Sequence, residues 1–539
     1  MTTNNPLAQL LTSVKAKTLT LIGDGAGNST TANISDAEAS RFLAQASMGA
    51  TRAEMARVQS LGYAGWMDAQ FALPQAQSRW DWLVVRGFSA TTHRHSENGF
   101  DAASWCKLLN APDTLRQRIA LALSEILVVG IDGLSGGWRA FTAAHYQDIL
   151  ENNAFGNYRK LLEEVTLSPA MGEWLTYKGN LKANPASGAL PDENYAREIM
   201  QLFTIGLVQL NLDGTPKLVG GVQQYAYRQA DVMGLARVWT GWDWDFTGGN
   251  SATPDFQGRP MRQIPARCES GQKEFLGTAI PAGTDGRTSM KMALDALFNH
   301  PNVGPFIGKQ LIQRLVTSNP SPAYVGRVAS IFNNDGNGVR GNLRAVVKAI
   351  LLDYEARNTV NNTSSFGKLR EPMLRFANWA RACNAISASG NWAVGNTSDP
   401  GTRLGQSPLR SPTVFNFFRP GYVPPNTAMG NAGLMAPEFQ ITNASSVVGY
   451  VNFMQRVVSN GIGDVRGDYS TLLPLAKNAQ TLLNEINLVL AAGQVSTANL
   501  AAMAGAVNGM PVNSDAALNR RVQAALLMVL ASPEYIVQK

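Results

Sequence analysis

The chain has 539 residues and a formal net charge of +7, with 16% charged and 45% hydrophobic residues. The charged share is well below the roughly 25% of an average soluble domain, so we expect long loops that are polar but uncharged. No run of lysine or arginine accompanies the positive charge. This pattern excludes the basic face that marks a nucleic-acid-binding protein, and we predict no nucleic-acid partner.

Neither a membrane span nor a cysteine framework is visible. No apolar run approaches the roughly 18 residues that cross a bilayer. Cys106, Cys268 and Cys383 are odd in number and too widely spaced for a disulfide framework or a CxxC metal site. Residues 1–5 lack the charged and apolar regions of a secretory signal. The location therefore stays open between the cytoplasm and an exported compartment.

Helical periodicity dominates the chain from residue 35 onwards. Thr51 opens an S/T-x-x-E capping box, which assigns Glu54 a helix-capping role rather than a catalytic one. Residues 113–127 are apolar nearly all round, and Glu125 within them needs a buried partner. Strand signals are few. We predict a mainly α fold, a large multi-helix domain with long irregular loops and little β structure.

The predicted organisation has three parts. Residues 1–34 are expected to form a flexible N-terminal extension, residues 35–460 the principal helical domain, and residues 461–539 a set of C-terminal helices packed on it. Residues 19–22 within the extension favour one short strand. The glycine-rich residues 23–28 that follow lack the spacing of a nucleotide-binding loop, and we expect no cofactor.

One acidic helix concentrates the groups that are able to do chemistry. Residues 191–203 begin with a proline and an acid, which favour a helix start. Glu193 and Arg197 are predicted to form an i, i+4 pair worth about 0.3–0.5 kcal/mol if exposed. Glu198 borders the buried stripe that begins at Tyr195. Burial would raise the pKa of Glu198, and a nearby arginine would lower it.

A second segment, residues 235–245, supplies an arginine, tryptophans and acids. Arg237 is the candidate partner or orienting charge, and Trp239 and Trp242 offer ring faces beside Asp243. Rings next to carboxylates are common in sugar-binding clefts, where carboxylate pairs carry out hydrolysis.

We therefore predict a cleft that binds an extended polar ligand of the glycan type. Glu198 is the expected general acid or base, and either Glu193 or Asp243 is the second carboxylate. Ligand binding is assigned to five side chains, namely Arg197, Arg237, Tyr195, Trp239 and Trp242. The structural alternative is a buried Glu198–Arg237 ion pair that joins two helices, with the tryptophans filling the core.

Several motifs in this order resemble the family called domain of unknown function 1800. They are residues 192–198 (DENYARE), 235–242 (LARVWTGW), 273–277 (KEFLG), 300–303 (HPNV), 367–372 (GKLREP) and 404–408 (LGQSP). The resemblance extends from about residue 36 to 455. It implies a bacterial, mostly helical and often exported protein. It also implies a protein partner that resembles the alkaline phosphatase and sulfatase group, but no activity.

The chain departs from the family at histidine positions. Many members carry Trp-His-Asn-His-Phe where residues 123–127 here read LSEIL, and His-Asp or His-Glu at Cys268 and Glu269. Without those imidazoles, Ser124, Glu125, Cys268 and Glu269 would form a poorer metal site, and we predict none. A carboxylate mechanism or no chemistry fits better. The alternatives to a glycan cleft are a non-catalytic scaffold or partner subunit of an exported complex, and a metal-dependent hydrolase with a degenerate site.

Overall fold

A computed structural model describes residues 34–358 and 365–539. The predicted N-terminal extension, including the short strand at residues 19–22, lies outside these ranges except for residue 34. Within them, no helix combines the length and the apolar character needed to cross a bilayer.

Helices make up most of the described chain, which confirms the prediction of a mainly α fold. The first fourteen are α1 (Asp36–Ala46), α2 (Arg52–Ala72), α3 (Arg79–Val85), α4 (Phe100–Asn110), α5 (Thr114–Ser124), α6 (Arg139–Asn152), α7 (Tyr158–Leu167), α8 (Pro169–Trp174), α9 (Asn194–Gln201), α10 (Gln229–Ala236), α11 (Gly286–Asn299), α12 (Val303–Leu315), α13 (Pro322–Asn333) and α14 (Leu343–Leu351). The remainder are α15 (Tyr354–Arg357), α16 (Pro372–Ala382), α17 (Ala428–Asn431), α18 (Ala444–Asn460), α19 (Ala479–Ala491), α20 (Thr497–Asn508), α21 (Asp515–Ala531) and α22 (Pro533–Ile536).

The strands are short and pair only two at a time. They are β1 (Leu218–Val219), β2 (Val222–Gln223), β3 (Trp242–Asp243), β4 (Arg262–Gln263), β5 (Lys273–Phe275), β6 (Thr278–Ile280), β7 (Lys368–Leu369), β8 (Ile386–Ser387), β9 (Val465–Arg466) and β10 (Val537–Gln538). All five ladders are antiparallel: β1–β2, β3–β4, β5–β6, β7–β10 and β8–β9. Each ladder links two segments of the chain, and the ladders do not combine into a sheet layer.

The cap of α2 differs in part from the prediction. Thr51 accepts the backbone N–H of Glu54 at 3.1 Å, as expected. The Glu54 carboxylate does not return to the cap. It accepts the indole N–H of Trp66 at 2.7 Å, because Gly62 (φ 70°) bends the helix between the two residues. Glu54 is therefore a link between two turns of α2.

Apolar side chains form two clusters. The larger contains buried residues from α1 to α14, and the smaller unites α16 and α18 with α19, α20 and α21. The C-terminal helices thus pack closely on the preceding part of the chain, since α18 and α21 are in contact. Where the chain divides into domains stays a prediction.

Six buried ionisable side chains lie between α5, α12 and the segment that leads into α16. They are Arg118, Glu125, Arg314, Lys368, Glu371 and Glu438, each at most 5% exposed. The Arg314 Nε atom lies 3.1 Å from the Glu125 carboxylate, and Lys368 Nζ lies 2.9 Å from Glu438. We call this set the buried charge cluster. The prediction that Glu125 has a buried partner is confirmed.

Within the buried charge cluster, two carboxyl groups are close enough to share a proton. Burial and the adjacent Glu371 carboxylate raise the pKa of Glu125 well above its usual range. Burial alone would also raise the pKa of Glu371. The hydrogen bond from Glu125 and the charges of Lys368 and Arg118 outweigh burial, so that pKa falls to about 2. Two carboxyl groups in contact cannot both ionise readily, so Glu125 holds the proton.

This asymmetry predicts different effects for two similar substitutions. Glu125→Gln keeps a donor towards Glu371 and should change the free energy of unfolding by about 1 kcal/mol or less near pH 5. Glu371→Gln removes the carboxylate whose charge compensates buried Arg118 and should cost about 3–5 kcal/mol. Because the folded pKa of Glu125 is raised, wild-type stability should also fall as pH rises through that pKa, and Glu125→Gln should remove this fall. Urea unfolding between pH 5 and pH 9 measures both effects, and equal losses for the two variants would contradict the assignment.

Candidate functional site

The acidic helix begins two residues later than its first acid. Asp192 lies just before α9, where its carboxylate accepts the Thr176 hydroxyl and the backbone N–H of Asn194, both at 2.8 Å. This closes the turn from which the helix starts. Asp192 is thus the helix-start residue that the sequence indicated.

Glu193 and Arg197 form the predicted i, i+4 ion pair on the half-exposed side of α9. A third residue, Gln229 at the start of α10, completes a ring of contacts. Its amide donates to Glu193 Oε2 at 2.7 Å, and its carbonyl oxygen accepts from Arg197 at 3.0 Å. The Glu193 carboxylate is therefore held in one orientation by two donors.

Glu198 is buried, at 7% exposure. Burial raises its pKa, and the nearby Arg197 opposes the rise only in part. The Glu198 Oε2 atom and the Tyr227 hydroxyl find no hydrogen-bond partner among the described residues. Burial raises the pKa of Tyr227 to about 12. The charge of Arg197 opposes this rise, and the charge of Glu198 adds a smaller increase. Burial thus shifts both groups towards their protonated forms.

Arg237 is exposed and does not pair with Glu198. Its Nη1 atom donates to the Gln272 carbonyl at 3.4 Å, and no carboxylate among the described residues lies within 4 Å of its guanidinium. The Glu198–Arg237 ion pair considered from sequence is therefore not formed. Lys273 is the cationic neighbour of Arg237. Burial lowers the pKa of Lys273, and the charge of Arg237 lowers it slightly further.

Three aromatic side chains assigned to ligand binding lie in the core. Tyr195, Trp239 and Trp242 are at most 1% exposed. The Tyr195 and Trp239 rings pack edge to face with centroids 5.1 Å apart, and the Tyr195 hydroxyl bonds Thr166 Oγ1 at 2.6 Å. All three rings are therefore shielded from solvent. In this structure these three side chains belong to the core beneath the candidate site.

Asp243 lies apart from the two glutamates of α9. Its carboxylate accepts from Arg267 Nη1 at 2.9 Å and from the backbone N–H of Trp244 at 2.8 Å. The Trp244 ring is half-buried, with Lys178 Nζ 3.8 Å from its centroid. The three predicted catalytic carboxylates are thus not brought together around one open space.

A groove of about 960 Å³ does join part of the predicted set. It runs between the start of α9, α10 and the β5–β6 hairpin, and it contains both Glu193 and Arg237. Gln272 and Glu274 add polar groups on the hairpin side. The lining does not include Glu198. The structure therefore separates the open charged groove from the buried Glu198.

The wall of this groove depends on a close approach of helix to strand. Gly234 in α10 packs against β5 so tightly that a Cβ atom would lie 1.7 Å from the Glu274 carbonyl oxygen. Asp231 ties the same two elements, because its Oδ1 accepts the backbone N–H of Leu276 at 2.7 Å. Leu276 and Gly277 adopt positive φ angles of 50° and 72°, as a two-residue hairpin turn requires.

Asn180 is a positioning residue that the sequence did not indicate. It is 8% exposed and lies between the two predicted site segments. Its side-chain oxygen accepts the backbone N–H of Asp192 at 2.9 Å, and its amide reaches the carbonyls of Asp192 and Trp239 at 3.2 and 3.5 Å. A lone asparagine in a loop carries no periodic signal, so only the tertiary structure identifies it.

No group of three or more His, Cys, Asp or Glu residues suited to a metal ion occurs in the part of the chain that the structure describes. The residues at the family's histidine positions have other partners. The Ser124 hydroxyl donates to the Leu121 carbonyl at 2.7 Å, and the Cys268 thiol donates to Ile264 at 3.3 Å. Glu125 pairs with Arg314, and the backbone N–H of Glu269 donates to the Thr240 hydroxyl at 2.8 Å.

Asn180→Ala tests how the site segments are joined. The change leaves the Asp192 amide and two carbonyl groups without a partner, so we expect a loss of about 2–4 kcal/mol in the free energy of unfolding. The matched control is Asn337→Ala, an exposed asparagine in a distant turn, which should stay within about 0.5 kcal/mol. Urea unfolding measures both, and similar values would refute the bridging role.

The predicted motifs build the groove and the buried charge cluster. Residues 192–198, 235–242 and 273–277 surround the groove, whereas residues 367–372 contribute Lys368 and Glu371 to the cluster. No curated protein and no solved structure matches the chain. A family's sequence profile does match, over residues 41–537, nearly the whole length. The chain belongs to that family, described as "Protein of unknown function (DUF1800)".

Proposed function

We propose that the groove between α9, α10 and the β5–β6 hairpin binds an extended polar ligand of the glycan type. The observation that carries the proposal is Arg237, an exposed guanidinium without a carboxylate partner among the described residues, which lines the same groove as Glu193. A guanidinium presents several donors in a fixed plane, and a carboxylate presents acceptors. Together they suit a ligand with many hydroxyl groups.

Size and lining support the same proposal. Clefts for small ligands are about 300–1,000 Å³ and combine apolar walls with a few placed polar groups. Here Leu190, Met233 and Phe275 supply apolar surface between the two charged side chains. Sugar rings have apolar faces and polar edges, so they match a surface of this kind.

The positions of the charges give each residue a role. Arg237 would donate to ligand oxygens, because only a backbone carbonyl competes for it at 3.4 Å. Glu193 would accept from ligand hydroxyls, and its orientation is already set by Arg197 and Gln229. A preset orientation lowers the entropy lost on binding. The groove therefore favours ligand binding, with recognition by Arg237 and Glu193.

A catalytic version remains a second candidate on one observation. Glu198 has a raised pKa and a partnerless Oε2 atom, and the nearby Tyr227 hydroxyl also lacks a partner. A carboxyl group kept protonated by burial is suited to general-acid catalysis. In this version the ligand would have to reach Glu198 beyond the groove lining, since the residue is buried and does not line the groove.

Arg237→Ala tests the binding proposal. We expect affinity for a glycan to fall about tenfold to a hundredfold, because one charge-assisted hydrogen bond contributes about 1.5–3 kcal/mol. Calorimetric titration with hits from a glycan panel is the measurement. Arg520→Ala is the matched control, since Arg520 is equally exposed but lies on α21.

Two results would count against the glycan proposal. One is a wild-type protein that binds no member of the panel, and the other is equal affinity for the two arginine variants. If Arg237→Ala instead lowers the melting temperature and a protein partner co-purifies with the wild type, the scaffold alternative is favoured.

Glu198→Gln separates binding from catalysis. The substitution preserves shape and removes the acidic proton, so a hydrolytic activity that depends on it should fall by at least about a hundredfold in kcat. Binding in the groove should persist, because Glu198 does not line it. Turnover that is unchanged in a folded Glu198→Gln protein would rule out the catalytic version and leave the binding proposal standing.

A further inference from the structure

A β-hairpin arm, residues 207–226, leaves the body after α9 and exposes much of the chain's apolar surface. Six of its large apolar or aromatic side chains are between 48% and 79% exposed: Leu207, Leu212, Leu218, Val219, Val222 and Tyr225. Such a concentration on one projecting element marks a surface that contacts another body.

The base of the arm is fixed by one side chain. Asn302, in the HPNV motif, is 1% exposed and donates to the carbonyls of Ile205 and Val208 at 2.9 and 2.7 Å. Its side-chain oxygen accepts the backbone N–H of Leu210 at 3.0 Å. The arm is therefore presented at a set position rather than left as an unanchored loop.

The tip is apolar on both faces. Val219 pairs with Val222 across a turn made by Gly220 and Gly221, whose φ angles are 59° and 81°. Leu218 and Val219 are consecutive strand residues, so their side chains point to opposite faces. No atom lies within 4 Å of a Cβ built on either glycine. The tip is thus open on every side.

The charged residues that flank the tip most closely in the sequence are cations. No acid occurs between Asp213 and Asp231, whereas Lys217 and Arg228 lie in that interval. Both cations are exposed, and neither forms an ion pair with a described residue. Tyr225, at 79% exposure, adds an amphipathic ring of the kind that prefers a membrane–water interface.

We propose that the tip of this arm inserts into the headgroup region of an anionic lipid bilayer and attaches the protein reversibly to its surface. A bilayer surrounds an inserted tip on all sides, which matches apolar side chains on both faces, whereas a protein partner typically covers one face. Lys217 in the arm and Arg228 just after it are exposed cations that would attract anionic lipid, since cationic side chains near such a surface each strengthen binding. The insertion is shallow, because three aliphatic side chains form only a weak anchor.

Vesicle flotation tests the proposal with the full-length protein. We expect the wild type to float with vesicles of phosphatidylcholine and phosphatidylserine and to bind phosphatidylcholine alone at least about tenfold more weakly. The double variant Val219→Asp, Val222→Asp should lose flotation. Val512→Asp, at a valine that is 48% exposed outside the arm, should retain it.

Two further variants make the result specific. Lys217→Ala with Arg228→Ala should abolish the preference for phosphatidylserine. In Val219→Trp, where the indole replaces a tip side chain, the emission spectrum should shift to shorter wavelength when vesicles are added. Circular dichroism and urea unfolding verify that each variant is folded.

The proposal is overturned if the folded wild type does not float, or if the aspartate variant floats equally well. It is also overturned if the arm binds a protein but no vesicle, which would identify the tip as a protein-docking surface. None of these outcomes depends on glycan binding, because the groove lining contains no residue of the arm.

Discussion

The buried charge cluster places the strictest physical condition on this fold. Removing an ionised side chain from water costs several kcal/mol, and only close partners of opposite charge offset that loss. Here the charged partners come from distant parts of the chain, with Arg118 in α5, Arg314 in α12 and Glu371 just before α16, and the protonated Glu125 lies among them. Each charge is compensated only when all these segments are in place. The cluster therefore couples the large apolar core to the smaller C-terminal one.

Neutral amides perform the same task elsewhere in the molecule. Asn180 joins the two segments beside the groove, Asn302 holds the base of the arm, and Gln406 donates to Glu371 at 2.6 Å. Buried amides satisfy backbone groups in loops without the desolvation penalty of a charge. This explains how a chain with few charged residues and long loops still specifies one arrangement of its helices.

Local patterns allowed much of the fold to be predicted. Apolar spacing identified the helices, and the i, i+4 spacing of Glu193 and Arg197 identified their ion pair, because both signals lie within a few residues. The buried position of Glu125 likewise implied a partner. The identity of that partner, Arg314, was out of reach because 189 positions separate it from Glu125.

The candidate site was harder to predict for the same reason. The sequence favoured positions in which Arg237 lies beside Glu198 and the ring of Trp239 faces a ligand. The register between α9 and α10 decides both positions, and no local pattern encodes that register. The groove also needs the β5–β6 hairpin. The hairpin contacts α10 closely because Gly234 has no side chain. Residue types were informative about chemistry, and tertiary contacts determined which of them face solvent.

The proton on Glu125 has a consequence for the charge and heat balance of the protein. Between the pKa of an unfolded glutamate and the raised pKa of folded Glu125, the Glu125 side chain of the folded protein is neutral, although the formal net charge of +7 counts it as ionised. Unfolding in this pH range then releases that proton to the buffer. The enthalpy of unfolding that a calorimeter records will include the ionisation heat of whichever buffer accepts it.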